Sequence, residues 1–191
     1  MERIVLATGN KGKIKEFERA LAHRHIDCVP VKELCDAPEP DETGTTFMEN
    51  ALLKARYYSE QTGFPCLADD SGLVVDALDG APGVYSARYA GDHGDDTANN
   101  DKLIAALQGI ENRSAHYLCA LALVYPDGQS VTAEGRCDGL IQDEPKGEHG
   151  FGYDPYFFVP QFGKTMAELD VDAKETISHR GKALEELMQQ L

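Results

Sequence analysis

Two adjacent acids, Asp69-Asp70, follow the apolar run Cys66-Leu67-Ala68 and precede Ser71-Gly72. Neighbouring carboxylates leaving a buried strand repel each other unless a cation, hydrogen-bond donors or a proton offsets them. A hard divalent cation such as Mg2+ would do so while also taking phosphate oxygens, which could join the pair to a triphosphate. An Asp-Ser-Gly surface turn accounts equally well for the same tetrapeptide. In Thr8-Gly9-Asn10-Lys11-Gly12-Lys13, helix-start amides, a hydroxyl and two lysines could converge on phosphate, the glycines allowing close approach. The spacing is not that of a Walker A loop, and a capped helix with solvated lysines reads the same way. Gly150-Phe151-Gly152-Tyr153-Asp154 suits stacking on a base while a carboxylate reads polar edges, or a tight turn with its rings in the core. Ser178-His179-Arg180-Gly181-Lys182 opens a helix with potentially cationic donors, or is ordinary surface charge. Glu42 could complete a metal site, but it is one of several acids in a solvated Pro-rich loop.

The elements that must position these residues are legible in outline. Residues 3 to 7 read as a buried strand that breaks at Thr8-Gly9-Asn10 before a helix with Ile14, Phe17 and Leu21 on its apolar face. Thr46-x-x-Glu49 reads as a capping box for a helix with Met48, Leu52 and Ala55 on one side, stopped by Gly63. Cys66-Leu67-Ala68 is a short strand with the acidic pair at its end, extended structure resuming at Leu73. Thr97 is the expected cap of a helix carrying Leu103, Ile104 and Leu107 that ends at Gly109. Tyr117 to Tyr125 is a strand covered on both faces, turned by Pro126-Asp127-Gly128 into a hairpin with Ser130 to Cys137. Tyr156 to Val159 is a further strand, and a last helix points Leu184, Leu187, Met188 and Leu191 inward. A hairpin among helix crossovers predicts an α/β protein with a mixed sheet.

Composition narrows the classes. At 191 residues with 42% apolar and 27% charged residues, the chain can bury a core without staples. No apolar run approaches the roughly 18 residues of a membrane span, and the strand-like start lacks a signal core, so no membrane partner and a cytoplasmic location are expected. Five cysteines without a Cys-x-x-Cys pair fit reduced, packed thiols. The six histidines show no metal-ligand spacing. A net charge of −15 disfavours nucleic acid as a partner. An anionic small substrate would need locally clustered cations or a metal ion, which raises interest in the lysines.

Taken together, Thr8-Gly9-Asn10-x-x-Lys13, Glu42-Thr43-Gly44, Glu49-Asn50-Ala51-x-x-Lys54-Ala55, Ala68-Asp69-Asp70-Ser71-Gly72, Pro82-Gly83-x-Tyr85-Ser86-Ala87-Arg88, Phe151-Gly152-Tyr153-Asp154-Pro155 and Ser178-His179-Arg180 resemble the inosine triphosphate pyrophosphatase family, in particular its bacterial dITP/XTP pyrophosphatase branch. The motifs run in the family's order from residue 8 to residue 180. The resemblance implies an elongated, two-lobed α/β fold, a central mixed β-sheet flanked by helices and an active-site cleft between the lobes. It further implies one domain over residues 1–191 without a separable linker, usually as a homodimer. The implied activity is hydrolysis of ITP, dITP and XTP to monophosphate and pyrophosphate with Mg2+, clearing deaminated purines from the nucleotide pool. Thr8, Gly9, Asn10, Lys11, Gly12, Lys13 and Lys54 would hold the triphosphate, and Glu42 and Asp70 the metal, with Asp70 also the general base. Ser71, Phe151, Gly152, Tyr153, Asp154, Lys174, His179 and Arg180 would line the nucleotide, chiefly its base. Asp69 would be a second metal ligand or a structural acid. Two rival readings are a pyrophosphatase for modified pyrimidine nucleotides and a non-catalytic nucleotide sensor.

Overall fold

The computed structural model describes residues 3–191. One mixed sheet of seven strands runs through it in the order β2-β1-β3-β4-β5-β6-β7. The strands are β1 (Arg3–Leu6), β2 (Asp27–Pro30), β3 (Cys66–Val75), β4 (Ser114–Val124), β5 (Ser130–Ile141), β6 (Phe157–Val159) and β7 (Lys164–Thr165). β1 lies parallel to both β2 and β3, whereas β6 is antiparallel to β5 and β7, so the expected α/β class with a mixed sheet holds. The helices are α1 (Lys11–Ala22), α2 (Phe47–Thr62), α3 (Asp96–Ala106), α4 (Val171–Ile177) and α5 (His179–Gln190). Among the described residues no helix is long and apolar enough to cross a membrane.

The chain divides into two compact units whose boundaries fall inside β3, β4, β5 and α5. In the first unit, which ends its opening segment at Asp70 and adds Cys119–Gly135 and Lys182–Leu191, Phe17 and Leu21 of α1 pack with Leu6, Leu67, Leu121 and Leu187. Phe17 and Leu21 are four residues apart, one helical turn, so α1 presents a single apolar stripe. In the second unit, Ser71–Leu118 and Arg136–Gly181, the core is Leu73, Leu103, Tyr117, Ile141, Tyr153 and Phe157 with their neighbours.

Several elements differ from their sequence expectation for physical reasons. β3 continues unbroken through Asp69-Asp70-Ser71-Gly72, so the acidic pair sits mid-strand rather than at a strand end. The Thr46 hydroxyl accepts the Glu49 amide at 3.1 Å, but the Glu49 carboxylate reaches past the cap to the Thr45 amide at 2.6 Å, making a variant of the capping box. α2 buries Phe47, Ala51, Ala55 and Tyr58, with Met48 and Leu52 only half-buried, because the alanines present the face with least bulk. Asp95, not Thr97, caps α3, accepting the Ala98 amide at 3.1 Å. Lys174 lies in α4, and Leu191, expected to point inward, is exposed beyond the end of α5.

The pairing of β5 with β6 depends on a bare backbone. A Cβ on Gly139 would lie 2.5 Å from Cε1 of Phe157 and 2.6 Å from the Phe158 carbonyl oxygen. Gly139→Ala is therefore expected to destabilise the fold by about 1 to 3 kcal/mol, read as a lower urea midpoint. An unchanged midpoint would show that β6 can yield at no cost.

Candidate active site

The first set of predicted residues gathers in the first unit, around the middle of β3. The Asp69 side chain is 2% exposed and its Oδ2 receives the Lys13 ammonium at 2.7 Å. Its backbone carbonyl accepts the Lys54 ammonium at 2.6 Å. Asp69 therefore holds both lysines, one through its carboxylate and one through its peptide, which gives it an orienting role. Lys54 also pairs with Glu42 at 3.0 Å. Burial by itself would lower the Lys54 pKa, but Asp69, Glu42 and Asp70 together outweigh it and hold the ammonium above its ordinary range.

Asp70, next along the strand, is treated differently. Burial pushes its carboxyl up to about 6, with Glu42 and Asp69 adding to the rise and Lys54 and an Asn50 hydrogen bond opposing it. Asn50 stands in the motif shared with the family but has no role assigned from sequence. Its Nδ2 donates to Asp70 Oδ2 at 3.0 Å, and its Oδ1 accepts the Gly44 amide at 2.7 Å, so the Glu42-Thr43-Gly44 loop and Asp70 are wired through one amide side chain. Gly44 must lack a side chain there, since a Cβ would lie 2.6 Å from Asn50 Oδ1 and 2.7 Å from the Glu49 Cβ. Among the described residues no group of three or more His, Cys, Asp or Glu side chains forms a ready-made metal cage. Glu42 and Asp70, close enough to influence each other's charge, could offer hard oxygen ligands to a divalent cation.

The loop before α1 adds a second distinction. Asn10 Oδ1 accepts the amides of Gly12 at 2.9 Å and Lys13 at 3.1 Å, and Thr8 Oγ1 accepts the Asn10 amide at 3.1 Å. These amides are satisfied within the loop, which shifts any hold on an anion toward the lysine side chains. Lys32, also missed by sequence, approaches the same loop, since a Cβ on Gly9 would lie 3.2 Å from its Nζ. The register explains it, because Leu6 pairs with Pro30, so the residues just beyond both strands run side by side.

The second set gathers in the second unit. Phe151 is 65% exposed, and the Lys174 Nζ stands 5.5 Å from its ring centroid. Lys174 donates to Asp154 Oδ2 at 2.8 Å, and the buried Asp154 also accepts the Tyr117 hydroxyl at 2.9 Å. Tyr153 turns inward and donates its hydroxyl to the Ser86 carbonyl at 2.6 Å, so its ring supports the loop from below. The Gly152 peptide is held at both ends by α3: its amide by Asp96 at 2.9 Å and its carbonyl by Asn100 at 2.9 Å. The His179 ring stacks on Tyr117 with centroids 4.9 Å apart, and Arg180 follows it in the first turn of α5. Ser71 is half-buried in β3, directly after Asp70.

Lysines held by a buried aspartate in the first unit, and an exposed aromatic ring beside a lysine in the second, define an α/β protein with cations gathered at two sets of acids. Sequence comparison narrows this class: the profile of the Ham1 family matches residues 4–190, and the chain belongs to that family. It is 52% identical to a protein of Desulforamulus reducens named dITP/XTP pyrophosphatase, over 98% of this chain and 94% of that one. It is 53% identical to a protein of the same name from Haemophilus influenzae, over 100% of this chain and 99% of that one. The solved structure of a HAM1 protein from Coxiella burnetii superposes with a TM-score of 0.95 at 44% identity, covering 100% of this chain and 98% of that one.

The environment of Asp70 has a measurable cost. A carboxyl whose folded pKa is raised to about 6 from 3.8 opposes folding once it must ionise. That cost is absent below the unfolded value and grows as pH rises through the window between the two. Asp70→Asn is therefore expected to stabilise the metal-free protein at pH 7 by about 2 to 3 kcal/mol. The gain should fade on acidification from pH 6 toward 4, as read by urea unfolding in chelator at each pH, and a pH-independent difference would contradict it.

Proposed function

We propose that this chain hydrolyses non-standard purine nucleoside triphosphates, ITP, dITP and XTP, to the monophosphate and pyrophosphate. The observation that carries the reading is Asp70: a carboxyl raised to about 6, beside Lys54 and one residue from the Lys13–Asp69 pair. With no cation on it, a carboxylate of that kind is a stronger base than an ordinary one and is still ionised at neutral pH. Relatives about half identical over nearly their whole lengths are named dITP/XTP pyrophosphatase, which supports the same substrates here.

In the proposed reaction Asp70 accepts a proton from water as the water oxygen bonds to the α phosphorus. The bridging bond to the β phosphate breaks, and pyrophosphate leaves with its growing charge met by Lys13 and Lys54. Glu42 and Asp70 would hold Mg2+, which when bound neutralises phosphate charge. The remaining residues divide by chemistry. Thr8 to Lys13 and Lys54 hold the phosphates, Phe151 offers its face to the base, and Lys174, His179 and Arg180 supply donors. Hypoxanthine and xanthine carry an acceptor at position 6 where adenine carries a donor, so those groups favour the former and would be left unpaired by ATP. A homodimer and a cytoplasmic setting complete the reading, the latter supported by five free thiols.

Pyrophosphate release should be measured for ITP, XTP, dITP, GTP and ATP with and without Mg2+. The expected result is an ITP-to-ATP ratio of kcat/KM of at least about 100, lost activity in chelator, and no preference for modified pyrimidines. Asp70→Asn should lower kcat by about 100-fold or more while the protein stays folded. Comparable rates on ITP and ATP, or a near-normal Asp70→Asn enzyme, would refute the reading.

A further inference from the structure

The Asp154 carboxylate, read from sequence as lining the base, is occupied on both oxygens by this chain's own donors. Its Oδ1 takes the Tyr117 hydroxyl at 2.9 Å, and its Oδ2 takes Lys174 at 2.8 Å and the Phe151 amide at 3.3 Å. With 6% of its surface exposed, it has little left to offer a ligand. What it does is fix the Lys174 ammonium near the exposed face of Phe151. With Lys174 and the Phe151 amide on one oxygen, the phenol on the other completes the hold on the carboxylate and fixes its orientation.

Tyr117 has a second contact with the same group of residues. Its ring stacks on His179 at 4.9 Å with planes 19° apart, and it packs on Phe157 at 4.4 Å on the β6 strand. Tyr117 itself is 7% exposed and sits in β4 among core residues, so it has no surface to give a substrate. From these contacts we infer that Tyr117 is a positioning residue for purine recognition, aligning Lys174 through Asp154 and His179 through its ring, and thereby setting the preference for a 6-carbonyl base. This rests on the function proposed above. Burial and the neighbouring Asp154 hold the phenol well above its ordinary value, so it remains a hydrogen-bond donor at any working pH.

The test is Tyr117→Phe, which keeps the ring and deletes one hydroxyl, alongside Tyr117→Leu, which removes the stack as well. Thermal unfolding by circular dichroism first establishes that both variants fold. For Tyr117→Phe, KM for ITP should rise about tenfold with kcat within about twofold of wild type, as expected when one hydrogen bond to a charged group is lost. ATP turnover should barely change, so the ITP-to-ATP ratio of kcat/KM falls about tenfold, and Tyr117→Leu should fall further. A merely structural role would instead lower both substrates together and leave the ratio where it was. Independently of any substrate, the NMR resonance of the Lys174 side-chain nitrogen in the ligand-free protein should shift in Tyr117→Phe. An unmoved Lys174 resonance, or an unchanged ratio in a wild type that does prefer ITP, overturns the inference. A wild type without that preference but with a shifted Lys174 signal would reject the substrate reading and retain the positioning role.

Discussion

Two carboxylates side by side in the middle of a buried strand persist only if cations, hydrogen-bond donors or a proton offset them, and in a chain of net charge −15 cations are scarce. Asp69 resolves this by drawing Lys13 from α1 to its carboxylate and Lys54 from α2 to its carbonyl. The consequence spreads through the first unit. α1 must start where Lys13 can reach the strand, which fixes the Thr8 to Asn10 loop, and α2 must lie so that Lys54 and Asn50, one turn apart, both face β3. The apolar contacts of Phe17, Leu21, Ala51 and Ala55 then set the distance from which the side chains reach.

The acids of the two residue sets fall into two kinds. Asp69 and Asp154 are almost fully buried, each held by a lysine at under 3 Å, and they serve as fixed points from which cations are aimed. Asp70 and Glu42 retain more access to solvent. Environment thus assigns different work to chemically similar groups. Satisfied buried networks favour one arrangement of neighbouring side chains, whereas a carboxyl with more solvent access is better placed to meet a ligand.

How much of this was legible follows from what each feature is made of. β1, α1 and the β4-β5 hairpin were readable because period and turn chemistry agree over many residues. β2 has four residues with none buried, and β7 has two, so neither carries a pattern. The unbroken run of β3 through Asp69-Asp70 was hidden because acids disfavour strands, and the lysines that reverse this lie 56 and 15 residues away in sequence. Asn50 and Lys32 depend on tertiary register, which no local window contains. Lys54 and Lys174 came from family resemblance, since composition marks neither as special. Tyr117 read as a core residue, which it is, and only its hydroxyl's partner reveals more.

The loop before α1 carries one more implication, through Asn10. Because that side chain already occupies the Gly12 and Lys13 amides, the loop holds its shape without an anion in place. On the proposed function, attraction then rests on the ammonium groups of Lys13 and Lys54, which this chain's own acids already hold, rather than on backbone dipoles. An ammonium that gives up a phosphate has a carboxylate of this chain to return to. A site that must let go of pyrophosphate, a product more highly charged than most, gains by this choice: what draws the triphosphate in does not trap the fragment that has to leave, and the cycle can begin again.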